Sequence, residues 1–260
     1  MNKALIFDCD GVLGDTEQHG HLVAFNLMWR ELGVPWQWSV EQYGEKLKIG
    51  GGKERMAALF REPEFLKVFT PLADEPARKD LLAVWHKRKS AIYQDIVNSG
   101  RIPPRSGVKR LSEEALAQGW KLAVASTSAQ QSVEAMLRRA VGDETFNRFS
   151  AVLGGDIVPN KKPAPDIYLL AAERLGVAPA NCVVIEDSNN GLRAALSAGM
   201  KCVVTVSGYT REEDFTGASL VLTCLGDPGD ELCTVLANAS STKPGAWFTV
   251  EDLELVRSGA

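Results

Sequence analysis

Lys3-Ala4-Leu5-Ile6-Phe7-Asp8-Cys9-Asp10-Gly11-Val12-Leu13 is the stretch whose reading decides the fold. Ala4 to Phe7 is continuously apolar, as a strand covered on both faces of a parallel sheet must be. It ends in two carboxylates and a glycine. Residues i and i+2 of extended chain share a side, so Asp8 and Asp10 reach one site. Gly11 permits the sharp turn beyond them. In open α/β sheets ligands sit outside the carboxyl ends of strands. A pair of carboxylates there can hold a divalent cation, and one of them can act as a nucleophile. A strand cap followed by an Asx-type turn is the plain structural alternative.

Around this strand the chain is ordinary in bulk. Its 260 residues suffice for one large or two smaller domains, and 45% hydrophobic with 24% charged residues is a globular composition. A net charge of −4 gives no footprint for nucleic acid. No apolar run approaches the length of a membrane span. Met1-Asn2-Lys3 enters the strand directly, so no leader is expected at this end, although a plastid protein with its leader trimmed would read the same. Cys9, Cys182, Cys202, Cys224 and Cys233 are scattered and are expected to be reduced, buried thiols.

Beyond the turn, Asp15 or Thr16 is a candidate N-cap for a helix through Leu22, Phe25, Met28, Trp29 and Leu32 that stops at Gly33. Residues 17–97 read as helical without a convincing strand, which predicts a helical insertion. Within it, Lys48-Ile49-Gly50-Gly51-Gly52-Lys53-Glu54-Arg55 joins a backbone-rich glycine loop to a helix start flanked by cations. Free amides plus cations suit an anion such as phosphate; a flexible linker with solvated charges is the alternative. The loop Gly100 to Gly107 returns the chain to the sheet. Strand Lys121 to Ala125 ends in Ser126-Thr127-Ser128, whose hydroxyls can bind phosphate or cap the next helix. Lys162 is stiffened between Lys161 and Pro163, ahead of the helix through Tyr168. Strand Cys182 to Ile185 ends in Glu186-Asp187, a second carboxylate cluster. Lys201 to Val206 is a further strand, Ser219 to Thr223 reads as an edge strand, and Trp247 to Val256 as a terminal helix.

In this order, the Asp8-Cys9-Asp10-Gly11-Val12 turn, Ser126, Lys162 in Lys-Lys-Pro-Ala-Pro-Asp and the Glu186-Asp187 pair resemble the four motifs of the haloacid dehalogenase superfamily. The resemblance spans almost the whole chain. It implies an α/β fold: a Rossmann-like parallel sheet core with helices on both faces, residues 1–16 and 98–260, and an inserted type-one helical cap, residues 17–97. Asp15-Thr16-Glu17, Gly20-His21, Tyr43-Gly44-Glu45, the triglycine stretch and Ser207-Gly208-Tyr209-Thr210 further resemble CbbY-type phosphatases. That likeness implies Mg²⁺-dependent hydrolysis of a sugar phosphate, in that family xylulose 1,5-bisphosphate, an inhibitor of Rubisco in the Calvin cycle.

The resemblance assigns catalysis to Asp8 as nucleophile and Asp10 as acid and base. It assigns Mg²⁺ to Asp8, the main-chain carbonyl of Asp10, Glu186 and Asp187, and phosphoryl oxygens to Ser126 and Lys162. Glu17, Gly51, Lys53 and Arg55 become candidate contacts for the rest of the substrate. The implied partner is a small phosphorylated sugar, with neither nucleic acid nor membrane; a monomer in the cytoplasm or a plastid stroma is expected. The rival implied by the same core is a β-phosphoglucomutase-like mutase. Such mutases carry a histidine ten residues after the second motif aspartate, where this chain has Gly20 between His19 and His21.

Overall fold

The computed structural model describes residues 2–155 and 157–259. Strand β1 (Ala4–Phe7) opens the chain, followed by a π-helical turn (Glu17–His21) and helices α1 (Leu22–Glu31), α2 (Val40–Lys46), α3 (Gly52–Leu59), α4 (Pro63–Leu66) and α5 (Glu75–Asn98). Then come α6 (Val108–Ala117), β2 (Lys121–Ala125), α7 (Gln130–Phe146), β3 (Ala151–Leu153), α8 (Asp166–Leu175) and β4 (Cys182–Glu186). The chain ends with α9 (Asn189–Ser197), β5 (Lys201–Thr205), β6 (Leu220–Leu222), β7 (Val235–Asn238) and α10 (Val250–Ser258).

These elements form two compact units, one of residues 1–15 and 103–260, the other of residues 16–102. The return to the first unit thus falls at Pro103, beyond the sequence expectation of residue 98. Helix α5 runs on to Asn98, and Ile102 is still buried.

The first unit is built on a sheet ordered β3-β2-β1-β4-β5-β6-β7. All neighbours are parallel except β6 and β7. Every residue of β1 is fully buried, and each large apolar side chain so removed from water contributes about 1.5–3 kcal/mol. Ala4 and Ile6 pack with Ala123, Ala125, Val184, Val204 and the inner faces of α8 and α9. Their alternates Leu5, Phe7, Leu122, Val124, Val183 and Ile185 are equally buried, so both faces of the sheet are covered. This is the α/β core expected from the sequence.

Two local expectations fail. Thr16 lies in helical conformation and makes no side-chain cap bond; the chain enters α1 through the π-helical turn instead. Ser219 to Thr223 is not the edge of the sheet, because β7 lies outside β6. All four residues of β7 are exposed, so no alternation of apolar and polar residues marks it.

The second unit has its own aromatic core. Trp38 meets Trp29 edge-on at 4.7 Å and Phe25 at 5.1 Å, and Trp85 lies 5.4 Å from Phe69. Ser39 and Gln42 form a capping box at α2, and Asp74 caps α5 through the Ala77 amide.

Candidate active site

The order of the strands fixes where the site lies. From β1 the chain winds outward through β2 and β3, then returns to begin β4 on the other side of β1. The carboxyl ends of β1 and β4 therefore flank the point where the winding reverses, the usual ligand crevice of such sheets. Phe7 pairs with Ile185, and the Asp8 amide donates to the Ile185 carbonyl at 2.9 Å. Asp8 thus leaves β1 beside Glu186 at the end of β4.

Asp8, Glu186 and Asp187 are all buried, and each offers a carboxylate oxygen within 4.8 Å of the others. Lys162 closes the cluster. Its Nζ donates to Asp8 Oδ1 at 2.5 Å, Glu186 Oε1 at 2.7 Å and the Ala125 carbonyl at 3.1 Å. One ammonium therefore ties the ends of β1, β2 and β4 together. Glu186 is further satisfied by the Tyr168 hydroxyl at 2.6 Å and by the Asp187 amide at 2.9 Å.

Glycines make the cluster possible. Gly11 has a positive φ of 78°, and a Cβ there would lie 2.1 Å from Asp187 Oδ2. A Cβ on Gly191 would lie 1.7 Å from Glu186 Oε1. Both carboxylates occupy space that only glycine leaves free.

Burial pushes the Asp8 carboxyl up to about 8, against the pull of Lys162. Burial, with Glu186 and Asp8 adding to it, holds Asp187 well above the ordinary carboxylate range. Burial would raise Glu186 too, but Lys162 and Tyr168 outweigh it and keep its carboxyl low. Lys162 loses hydration on burial, yet Asp8 and Glu186 hold it as an ammonium. Two of three clustered acids thus resist ionising together. A divalent cation is the group whose charge and hard-oxygen preference such a donor set fits.

The Asp10 carboxylate accepts from the Ser128 hydroxyl. The Ser126 hydroxyl is buried and accepts from the Ser128 amide at 3.1 Å. The expected residues Asp8, Asp10, Ser126, Lys162, Glu186 and Asp187 all lie at the carboxyl ends of β1, β2 and β4 or in the loop ahead of α8. Ser128 belongs to the hydroxyl run that the sequence offers for phosphate binding or helix capping, but its contact with Asp10 carries no sequence signal, and neither does Tyr168, a tyrosine within a helix.

In the second unit, Glu17 lies in the π-helical turn, a form often found at functional sites. Its carboxylate accepts from the Tyr43 hydroxyl at 2.5 Å and pairs with Arg55 at 3.5 Å. Arg55 also donates to the Tyr43 oxygen and the Ile49 carbonyl, both at 2.9 Å. Gly51, at φ 96°, precedes α3, and Lys53 is exposed. Glu17 and Arg55 are thus brought together through Tyr43, a residue that belongs to a quoted motif but was not given a site role. The five cysteines are free and buried, as expected. Among the described residues, no helix is long and apolar enough to cross a membrane.

Residues 2–199 match the haloacid dehalogenase-like hydrolases. The chain is 47% identical over 231 residues to a CBBY-like protein of Arabidopsis thaliana, covering 89% of this chain and 72% of that one. It is 40% identical over 260 residues to the plasmid-encoded CbbY protein of Cupriavidus necator, covering 98% and 96%. A variant of CbbY from Rhodobacter sphaeroides, solved in complex with xylulose-(1,5)-bisphosphate, superposes with a TM-score of 0.77 at 39% identity, covering 86% of this chain and 95% of that one. With the motif carboxylates and Lys162 gathered at the reversal of its sheet, the chain belongs to the haloacid dehalogenase-like hydrolases and, among these enzymes, to the CbbY-type phosphatases.

Proposed function

We propose that the protein hydrolyses a sugar phosphate through an aspartyl-phosphate on Asp8, and that its substrate is xylulose 1,5-bisphosphate. The observation that carries the reaction is Asp8 held by Lys162 at 2.5 Å, next to Glu186 and Asp187 and two residues from Asp10. The substrate comes from the likeness to CbbY, solved with that bisphosphate in another organism. Such a role would clear a Rubisco inhibitor from the Calvin cycle, in a bacterial cytoplasm or a plastid stroma.

Asp8 attacks phosphorus in line as the sugar oxygen leaves. Asp10, positioned by Ser128, gives its proton to that oxygen and then takes one from the water that cleaves the acyl phosphate. Lys162 and Ser126 hold the transferring oxygens, and Lys162 offsets their repulsion with Asp8. Asp8, the Asp10 carbonyl, Asp187 and Glu186 would hold Mg²⁺. When bound, the cation neutralises charge on the transferring phosphoryl group. Because Glu186 is already hydrogen-bonded at both oxygens, we give Asp8 and Asp187 the direct contacts. Glu17, Gly51, Lys53 and Arg55 are assigned to the sugar hydroxyls and the second phosphate.

The geometry at Gly20 speaks against the mutase. A Cβ there would lie 2.7 Å from the Tyr93 ring and 2.8 Å from Ile102 Cδ1, so a histidine at that position would require both side chains to shift. His21 is stacked on Tyr93 at 3.9 Å and meets Lys89 at 2.5 Å, while His19 is exposed. A phosphate-release screen over sugar mono- and bisphosphates with Mg²⁺ tests the reading. Preferred release from xylulose 1,5-bisphosphate is expected. Phosphosugar interconversion outpacing release would replace hydrolysis with the mutase.

A further inference from the structure

Arg105 follows the prolines that return the chain to the first unit. Its amide donates to the Leu13 carbonyl at 3.0 Å, beside the antiparallel bridge between Gly14 and Pro104. Its guanidinium spans three segments. One terminal nitrogen donates to the Gly11 carbonyl and to Thr205 O at 3.0 Å. The other donates to Val206 O at 2.8 Å and Thr223 O at 2.6 Å. The catalytic turn is thereby tied to the ends of β5 and β6. Gly11 is also the residue on whose missing side chain Asp187 rests, and Arg105 is close enough to Asp187 to favour its carboxylate form.

We propose that Arg105 is a positioning residue for the reaction: it locks the Asp10–Gly11 turn and so sets the spacing of the Asp8 and Asp187 carboxylates. A planar fork with five donors can serve four carbonyls in three segments, whereas a lysine ammonium has three donors at one point. Arg110 supplies the comparison. It too binds several carbonyls, of Leu225 at 3.2 Å, Gly226 at 2.7 Å and Phe248 at 2.9 Å, but none belongs to the catalytic turn.

The inference rests on the functional reading only for its cation, so the experiment separates the two. Wild type, R105K and R110K are compared by thermal melting, by calorimetric Mg²⁺ titration and by hydrolysis of p-nitrophenyl phosphate. Both variants should fold with a lowered Tm. R105K should lose about ten- to a hundredfold in kcat with KM nearly unchanged, and should bind Mg²⁺ about tenfold more weakly, as expected for a residue that orients metal ligands. R110K should keep both within about twofold. A folded R105K equal to wild type in kcat and Mg²⁺ affinity overturns the inference alone, as does an R110K that loses as much. A wild type inert in both assays overturns the functional reading and the inference with it.

Discussion

Asp8 concentrates the site's conflict in one side chain. Its carboxyl is buried beside Glu186 and Asp187, and the attraction of Lys162 does not compensate, so its value rises from 3.8 to about 8. Between those values the folded protein binds a proton that the unfolded chain does not. Stability without metal should therefore fall as pH rises from about 4 to 8 through this group. A cation bound by the ionised cluster reverses that cost and releases protons. The expected outcome is a Tm gain on adding Mg²⁺ that is small near pH 6 and larger near pH 8.5; a gain independent of pH would contradict it. Asp8→Asn should fold and lose turnover by several orders of magnitude, since an amide does not attack phosphorus; a phosphate-release assay on the purified, folded variant checks this. At this scale the sequence was informative because i and i+2 carboxylates after an apolar run have few structural uses. The pairing of Ser128 with Asp10, and the parts played by Tyr168 and Arg105, escaped notice because these roles arise from partners 118, 18 and about a hundred residues distant, which no local spacing encodes.

Among the elements, the helices and parallel strands were legible where burial imposes a pattern. Strand β7 was not, because it is short and exposed throughout. The π-helical turn was missed for a different reason: Glu17-Gln18-His19-Gly20-His21 reads as an ordinary helix start, and Tyr93 and Ile102, which crowd Gly20, lie more than seventy residues further along the chain. Gly20→Ala should accordingly destabilise the protein by about 1–3 kcal/mol through overpacking, read from urea unfolding. A neutral result would remove the steric case against a side chain there.

Helix α3 gives a second test. The sequence placed cations around the glycine loop; of these, Arg55 is engaged by Glu17, Tyr43 and Ile49, while Lys53 is exposed and Lys48, also exposed, pairs with Glu45. A charge-assisted phosphate contact is worth roughly 1.5–3 kcal/mol. Arg55→Ala should lower kcat/KM for xylulose 1,5-bisphosphate about ten- to a hundredfold while sparing a small monophosphate. An equal loss on both substrates would make Arg55 a support for Glu17 rather than a phosphate ligand.

At the scale of the whole molecule, the two compact units differ in what they owe to each other. The chemistry-bearing carboxylates and Lys162 all belong to residues 1–15 and 103–260. Residues 16–102 have a separate aromatic core around Trp29, Trp38 and Trp85. The two ends left by removing the second unit are already adjacent, because Gly14 bridges Pro104 and the Arg105 amide donates to Leu13 at 3.0 Å. A linker of a few glycines and serines can therefore close residues 15 and 103 at small entropic cost. The excised core should fold, bind Mg²⁺ and hydrolyse p-nitrophenyl phosphate slowly. It should show no preference for a bisphosphate over a monophosphate, since Glu17, Lys53 and Arg55 are gone. The measurements are circular dichroism, Mg²⁺ titration and kcat/KM on the two substrate classes. A folded core that keeps the bisphosphate preference would move substrate selection from the helical unit to the sheet. A folded core that binds no Mg²⁺ would show that the carboxylate cluster depends on residues 16–102 for its shape.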